Sequence, residues 1–440
     1  MKDSGKKLGL WMAMALVIGN MIGSGIFFLP STLGAYGGIS ILGWVFTSTG
    51  ALILALIFSR LSLIVRNVSG GPYAYTRANL GDFPGFLVAW GYILSVWAAN
   101  AAITVAFVSY LSVFIPVLGT NPFAGAIAGV LAIASLTWIN TRPVRNAGGF
   151  QVVTTTLKLA PLLLMSLVGI FYINLDHFTP FNVSDSSSFQ AISATAALTL
   201  FAFLGFESAT VPAEKIDNAE KIIPQATIWG TLITVAVYLL GTIAVMGILS
   251  PEELTQSKAP FADAAARIWG APGRYLIAAG VVISTFGALN GWMLVQGQIP
   301  FAAARDQLFP PVFKRTNRFD MPSAAIMIGS AIITVVMLMN YSRGLVKAFE
   351  FLILVTTTTV LVPYLFAAAA YALFVLQGKW NPGRSKSIAL ILPTLGFAYS
   401  LWAVSGSGME AVYWGFILLL AGIPLYIYIR YRANAPKTEA

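Results

Sequence analysis

Twelve apolar runs, each near or above the ~18 residues that cross a bilayer as a helix, leave this chain very little choice of fold. They fall at about 9–36, 40–64, 84–116, 122–139, 150–173, 189–212, 223–248, 272–303, 322–341, 346–376, 388–405 and 410–431. In lipid every backbone N–H and C=O must find a partner within the protein, so runs of this length fold as helices. With 58% of its 440 residues hydrophobic and 10% charged, the chain reads as an all-α integral membrane protein. Its twelve transmembrane helices form a single domain over 1–440. The first run follows Lys2, Lys6 and Lys7, as a signal peptide would. No small-residue cleavage site comes after it, and an uncleaved first helix is expected.

A net charge of +10 would suit nucleic acid, but the basic residues are distributed by topology. With the N-terminus in the cytoplasm, alternate assignment puts 20 Lys and Arg inside and 5 outside, Lys158 lying within a span. Such a bias predicts both termini cytoplasmic, in a multi-pass protein of the cell (inner) membrane. The lipid bilayer is then its surroundings, and nucleic acid is no partner. Cysteine is absent, which excludes disulfides, thiolate metal sites and cysteine nucleophiles. The one histidine, His177, falls in a predicted outside loop. Nothing resembles a P-loop. Neither a metal, nor a cofactor, nor a catalytic residue is expected.

Against this background the first run contains an anomaly. Residues 19–30 read GNMIGSGIFFLP, with Gly23, Ser24 and Gly25 at mid-span. Glycine is poor in helix interiors, and a freed backbone group in lipid costs several kcal/mol. Run 6 has a matching feature, Gly205 followed by Glu207 and Ser208. Five helices separate the two, an odd number, so a second copy of the unit enters from the opposite side. Corresponding glycine-broken helices in two inverted halves, here 1–173 and 189–376, point to a transporter with its site at the midplane. The half-helix after GSG presents free N–H groups and a positive dipole end, suited to a carboxylate. The break in span 6 would offer carbonyls to an ammonium group. The pair describes a cradle for an α-amino acid, with Asn20 and Ile22 before the first break and Ala202, Phe203 and Gly205 at the second. Gly19 and Gly23 also form GxxxG, a packing device in membranes. Ionisable groups deep in the spans are functional candidates by default, and here they are Lys158 and Glu207. Asn100, an amide deep in span 3, needs a partner.

Further segments resemble one family across nearly the whole chain: GGPYAYTRANLG at 70–81, FAFLGFESATVPAE at 201–214, FAAARDQLFPPVF at 301–313, LVPYL at 361–365 and WAVSGSGMEAVYWGF at 402–416. With the GSG stretch, they are similar to the amino acid–polyamine–organocation (APC) superfamily, nearest its basic amino acid/polyamine antiporter branch, which includes the arginine/agmatine antiporter. The resemblance implies a LeuT-like 5+5 inverted repeat with discontinuous helices 1 and 6, and with spans 11–12 (388–431) peripheral. It implies alternating access, with amino-acid exchange or symport. Gly23, Ser24 and Gly25 match the carboxylate-binding segment, and Phe201 matches the gating aromatic of span 6. Tyr92, Asn100 and Trp292 match residues that line or close the pocket, and Glu207 matches a glutamate linked to gating and acid response. Lys158 departs from the arginine/agmatine antiporter. It matches a lysine found elsewhere in the superfamily in place of a sodium ion, near spans 1 and 8, where Ser284 and Thr285 would be its neighbours.

The leading expectation is a sodium-independent amino-acid transporter, an exchanger of amino acids or of an amino acid for a decarboxylated amine, with a homodimer as a candidate assembly. Lys158 keeps a proton-coupled symporter of neutral amino acids open as the alternative. A membrane receptor that binds a nutrient without moving it is more remote. An intramembrane enzyme using Glu207 and Lys158 lacks any nucleophile–base constellation.

Overall fold

The computed structural model describes residues 8–65, 71–142, 147–210, 216–379 and 386–434. The two termini, and the basic residues Lys2, Lys6, Lys7, Arg66, Arg145, Lys215, Arg384 and Lys437 used in the topology expectation, lie outside them. Eleven helical spans among the described residues are long and apolar enough to cross a membrane. The run expected at 150–173 is span 5, a helix over Ala147–Gly169 continued by a 3-10 turn at Ile170–Tyr172. In chain order the others are span 1 (Leu10–Leu33), span 2 (Gly37–Ile64), span 3 (Asp82–Leu111), span 4 (Pro122–Asn140) and span 6 (Ser188–Ser208). Then come span 7 (Ala219–Ile248), span 8 (Pro260–Arg305), span 9 (Ser323–Tyr341), span 10 (Leu345–Leu376), span 11 (Lys386–Ser405) and span 12 (Met409–Arg432).

Burial separates the centre of the bundle from its edge. Span 3 is 94% buried along its most apolar stretch and span 1 is 83% buried, against 33% for span 11 and 22% for span 12. Span 3 packs against both span 8 and span 10 in the middle, with span 1 lodged among spans 5, 7 and 8. Leu, Ile and Phe on the outer spans face outward, which costs nothing where the surroundings are lipid.

Two short helices longer than a single turn escaped the hydropathy reading because neither is apolar enough to span. One, Pro72–Leu80, joins spans 2 and 3. Its limits were written in the sequence: proline at its first position, and glycines at both ends in conformations closed to other residues (Gly71 φ 59°, Gly81 φ 92°). The other, Pro251–Gln256, starts from a capping box between Ser250 and Glu253 and packs on the second half of span 1, Gly25–Leu33. Ser31 Oγ donates there to Ser257 O at 2.8 Å. Span 8 begins twelve residues before its predicted start, as an amphipathic turn carrying Asp263 and Arg267, and kinks at Gly270 (φ 68°).

Candidate functional site

The GSG stretch does break span 1. Helix runs from Leu10 to Met21 and again from Gly25 to Leu33, with Ile22, Gly23 and Ser24 between them. Span 6 is helical over Ser188–Phe203, turns at Leu204 and Gly205, and resumes as a 3-10 segment at Phe206–Thr210. The two breaks touch. Gly205 has φ 108°, and a Cβ there would lie 3.1 Å from the Asn20 backbone carbon and 3.2 Å from Met21 N. A Cβ on Gly25 would sit 3.0 Å from both Cα and Cβ of Ala202. Glycine at these two positions lets the unwound segments pack backbone to backbone.

The two half-helices of span 1 differ in how their ends are satisfied. The carbonyls closing the first half are taken by side chains from three other spans. Lys158 Nζ donates to Gly19 O at 2.9 Å, Trp292 Nε1 to Asn20 O at 3.2 Å, and Tyr238 OH to Met21 O at 2.6 Å. Tyr238 OH also lies 3.1 Å from Ala202 O, so one hydroxyl binds both broken helices. The second half starts differently. Its first N–H groups have no carbonyl one turn earlier, and the helix dipole gathers positive partial charge there. Ser24 occupies the N-cap position, yet its hydroxyl caps nothing and is buried without a partner.

These groups face a cavity of about 20 Å³ bounded by both breaks, span 3 and span 8. Asn20, Met21, Gly23, Ser24 and Gly25 form one wall; Phe201, Ala202 and Leu204 form another; Ala99, Ile103 and Trp292 complete it. A smaller adjoining void shares Ala99, Leu204 and Trp292 with the cavity and reaches Tyr92 and Glu207. Glu207 is fully buried and accepts from Tyr92 OH at 2.6 Å, from Gly205 N at 3.3 Å and from Tyr364 OH at 3.4 Å. The carboxylate thereby pins spans 3 and 10 to the break in span 6.

Two sets of contacts flank the cavity. On one side the Phe201 ring meets Phe349 edge-on at 5.8 Å, and Phe349 packs on Phe28 at 4.6 Å. On the other, beyond Glu207, Arg77 pairs with Asp82 at 2.7 Å and Asp306 at 3.2 Å, Tyr73 OH donates to Asp306, and Arg430 also reaches Asp82. Burial, and then the neighbouring Asp306, push the Tyr73 phenol well above its usual range. These groups are about one-third exposed, so individual pairs stabilise little. Their effect is to tie the 72–80 helix to the ends of spans 3, 8 and 12.

Several expected site residues lie elsewhere. Asn100 does not line the cavity: it is one residue, about 100° of helix, past Ala99. Its amide donates instead to Gln296 Oε1 at 3.1 Å, and Gln296 continues to Ser330 at 3.2 Å. Phe203 is likewise one step past Ala202 and packs on Trp44 and Tyr238. Ile22 is fully buried in the core and is not part of the cavity wall. Lys158 lies between spans 1 and 8, and a Cβ on Gly287 would come within 3.4 Å of its stem. Neither expected hydroxyl binds it, however. Thr285 Oγ1 donates to Val281 O of its own helix at 2.8 Å, as helical threonines do, and Ser284 Oγ has no partner.

Tyr238, Tyr364 and Gln296 were missed by the sequence reading. Gln296 carries the same signal as Asn100, an amide deep in an apolar span. The tyrosines stand in a chain that is 13% aromatic, where one polar tip attracts no notice.

The family described as amino acid permease matches residues 8–423. The chain is 30% identical to an arginine/ornithine antiporter of Pseudomonas aeruginosa, over 99% of this chain and 93% of the relative. It is 30% identical to the putrescine transporter PotE of Haemophilus influenzae, over 99% of this chain and 100% of the relative. With an arginine/agmatine antiporter of Chlamydia pneumoniae it shares 29% identity, over 99% of this chain and 92% of the relative.

Proposed function

The chain belongs to the amino acid permease family, and on that premise we propose that it is a sodium-independent amino-acid exchanger whose substrate binds between the two helix breaks. The observation that carries the reading is the pairing of an unsatisfied Ser24 hydroxyl and an open first turn at Gly25 with a cavity walled by both broken helices. Those donors suit a carboxylate. Backbone carbonyls at the span 6 break suit the α-ammonium. Phe201 and Trp292 are the covers that move for entry, and Glu207 with Tyr92 and Tyr364 holds the opposite exit shut. Alternating access exchanges these two closures around a fixed site, with residues 1–173 and 189–376 as inverted halves. The physiological setting is the cell (inner) membrane with both termini cytoplasmic, and the counter-substrate is a second amino acid or a decarboxylated amine.

Lys158 replaces a cation in this reading. Its Nζ donates to Gly19 O between spans 1 and 8, which supports its standing where a sodium ion would otherwise bind. The same residue is what would favour proton-coupled symport as the alternative. Purified protein in proteoliposomes separates the cases. Exchange predicts uptake of labelled amino acid only into vesicles preloaded with amino acid, at equal rates in Na⁺ and K⁺. Uptake into empty vesicles driven by a proton gradient would establish symport instead, and stimulation by Na⁺ would overturn the assignment of Lys158.

A further inference from the structure

We infer that the surface where the end of span 4 meets the segment joining spans 8 and 9 binds the headgroup of an anionic phospholipid, with Arg142 and Arg318 holding its phosphate. The inference goes beyond the exchanger reading and does not depend on it.

Two lengths of chain far apart in sequence meet here at the edge of the membrane. Span 4 ends at Asn140 and span 9 begins at Ser323. Asn317 Nδ2 donates to Thr141 O at 2.6 Å, so Arg142 and Arg318 each stand one residue from the bond that joins the segments. The same asparagine fixes the turn that follows it, its Oδ1 accepting from Phe319 N at 2.9 Å and from Met321 N at 3.3 Å. Arg142, Lys314, Arg315 and Arg318 are all exposed. Among the described residues none of the four forms a salt bridge. The only acid in the 311–322 segment is Asp320, and Asp306, shortly before it, is taken by Arg77 and Tyr73. The surface therefore carries an excess of positive charge. The two guanidiniums also lie over exposed rings, Arg142 over Trp138 at 3.9 Å and Arg318 over Phe319 at 4.7 Å. Trp138 shares the exposed face of span 4 with Leu131, seven residues earlier. A guanidinium stacked on a ring keeps its N–H edge for phosphate oxygens, and the apolar face below it receives the acyl chains. A free anion would use the charges and leave that face unused. Topology by itself asks for positive charge at the ends of spans, but for neither the stacked rings nor the bond between the two segments.

Thermal unfolding of the detergent-purified, full-length protein tests this, titrated with dioleoylphosphatidylglycerol and, separately, with dioleoylphosphatidylcholine. The anionic lipid should stabilise the protein at concentrations where the zwitterionic one does not. Combining Arg142→Gln with Arg318→Gln should raise the half-maximal concentration of the anionic lipid on the order of 25-fold, about fivefold for each basic group at an anionic surface. Both side chains are exposed, so the lipid-free melting temperature should hold. A charge-matched variant at the opposite ends of spans 8 and 10, Arg267→Gln with Lys347→Gln, should titrate like the unmodified protein. Inorganic phosphate and glycerol phosphate should give no shift. Equal stabilisation by the two lipids would overturn the inference, as would an unchanged titration in the Arg142 and Arg318 variant or an equal loss in the charge-matched one. Stabilisation by the water-soluble phosphates would also overturn it, making this a site for free anions.

Discussion

Tyr238 is the most informative single atom to delete, because its hydroxyl touches both broken helices and its ring does not depend on it. The hydroxyl donates to Met21 O at 2.6 Å and lies 3.1 Å from Ala202 O, while the ring packs edge-on against Trp44 at 5.4 Å and Phe203 at 5.5 Å. Tyr238→Phe keeps those ring contacts. The loss is then limited to hydrogen bonding between helices, and two magnitudes compete for its size. Stranding a buried acceptor costs about 1–3 kcal/mol, whereas interhelical hydrogen bonds in membrane proteins average about 0.6 kcal/mol and reach about 1.7. The lower range applies, since Met21 O keeps a bond from Gly23 N at 2.8 Å. A loss of about 0.6–1.7 kcal/mol in the paired arrangement of the breaks weakens substrate binding about 3- to 20-fold, at about 1.4 kcal/mol per tenfold. The assay is the concentration dependence of amino-acid counterflow in proteoliposomes, with thermal unfolding in detergent as a check that the fold survives. An unchanged half-saturating concentration would refute the claim that the hydroxyl holds the substrate-binding arrangement together.

Two further outcomes follow from the same geometry. Phe201→Ala removes the cover over the cavity and its edge contact with Phe349, worth about 0.5–1.5 kcal/mol beyond area burial; counterflow should slow severely, Phe201→Trp should be tolerated, and a wild-type rate for the alanine variant would reduce the ring to packing. Lys158→Ala should abolish transport without impairing insertion, because deleting a mid-span lysine relieves about 2.5–3.5 kcal/mol of insertion cost; normal protein yield with no counterflow is the expected pair of results, and full activity would make the lysine a tolerated passenger.

The parts of this architecture legible in the sequence are those where a residue conflicts with its surroundings. Glycines inside an apolar run, a lysine and a glutamate at mid-span, and an amide on a lipid-length helix each violate what a plain transmembrane helix would contain. Each turned out to mark a break or a buried bond. Each of the twelve runs coincides with a helix among the described residues, eleven of them long and apolar enough to cross a membrane. What hydropathy could not show is orientation about the helix axis. Asn100 and Phe203 are each one residue from a cavity-lining neighbour and face elsewhere, a difference of about 100° that only packing fixes. Tyr238 and Tyr364 reach partners more than 150 residues away in sequence. Their hydroxyls conflict with nothing locally, because a tyrosine tip in a helical bundle is ordinary until its acceptor is known.

The difference between the two ends of the span 1 break bears on why this carrier should exchange rather than leak. Protein side chains from spans 5, 7 and 8 satisfy the carbonyls of Gly19, Asn20 and Met21 in the closed state. Across the break the Ser24 hydroxyl has no partner, and in the proposed reading it and the first turn from Gly25 serve a ligand. An empty carrier that closes around this cavity buries those donors unpaired, at about 1–3 kcal/mol for each group left without a partner. A bound carboxylate removes that cost. The loaded carrier therefore passes through the closed state more readily than the empty one, and that inequality is what makes return without cargo slow. Filling the donors permanently should break the coupling. Ser24→Asp places a carboxylate of the protein's own at the N-cap, where it accepts from the N–H groups of the first turn. The variant should lose substrate binding, seen as loss of thermal stabilisation by whichever amino acid stabilises the unmodified protein, while its unliganded melting temperature rises. If Ser24→Asp binds that amino acid as the unmodified protein does, the donors at this break are not where the carboxylate sits.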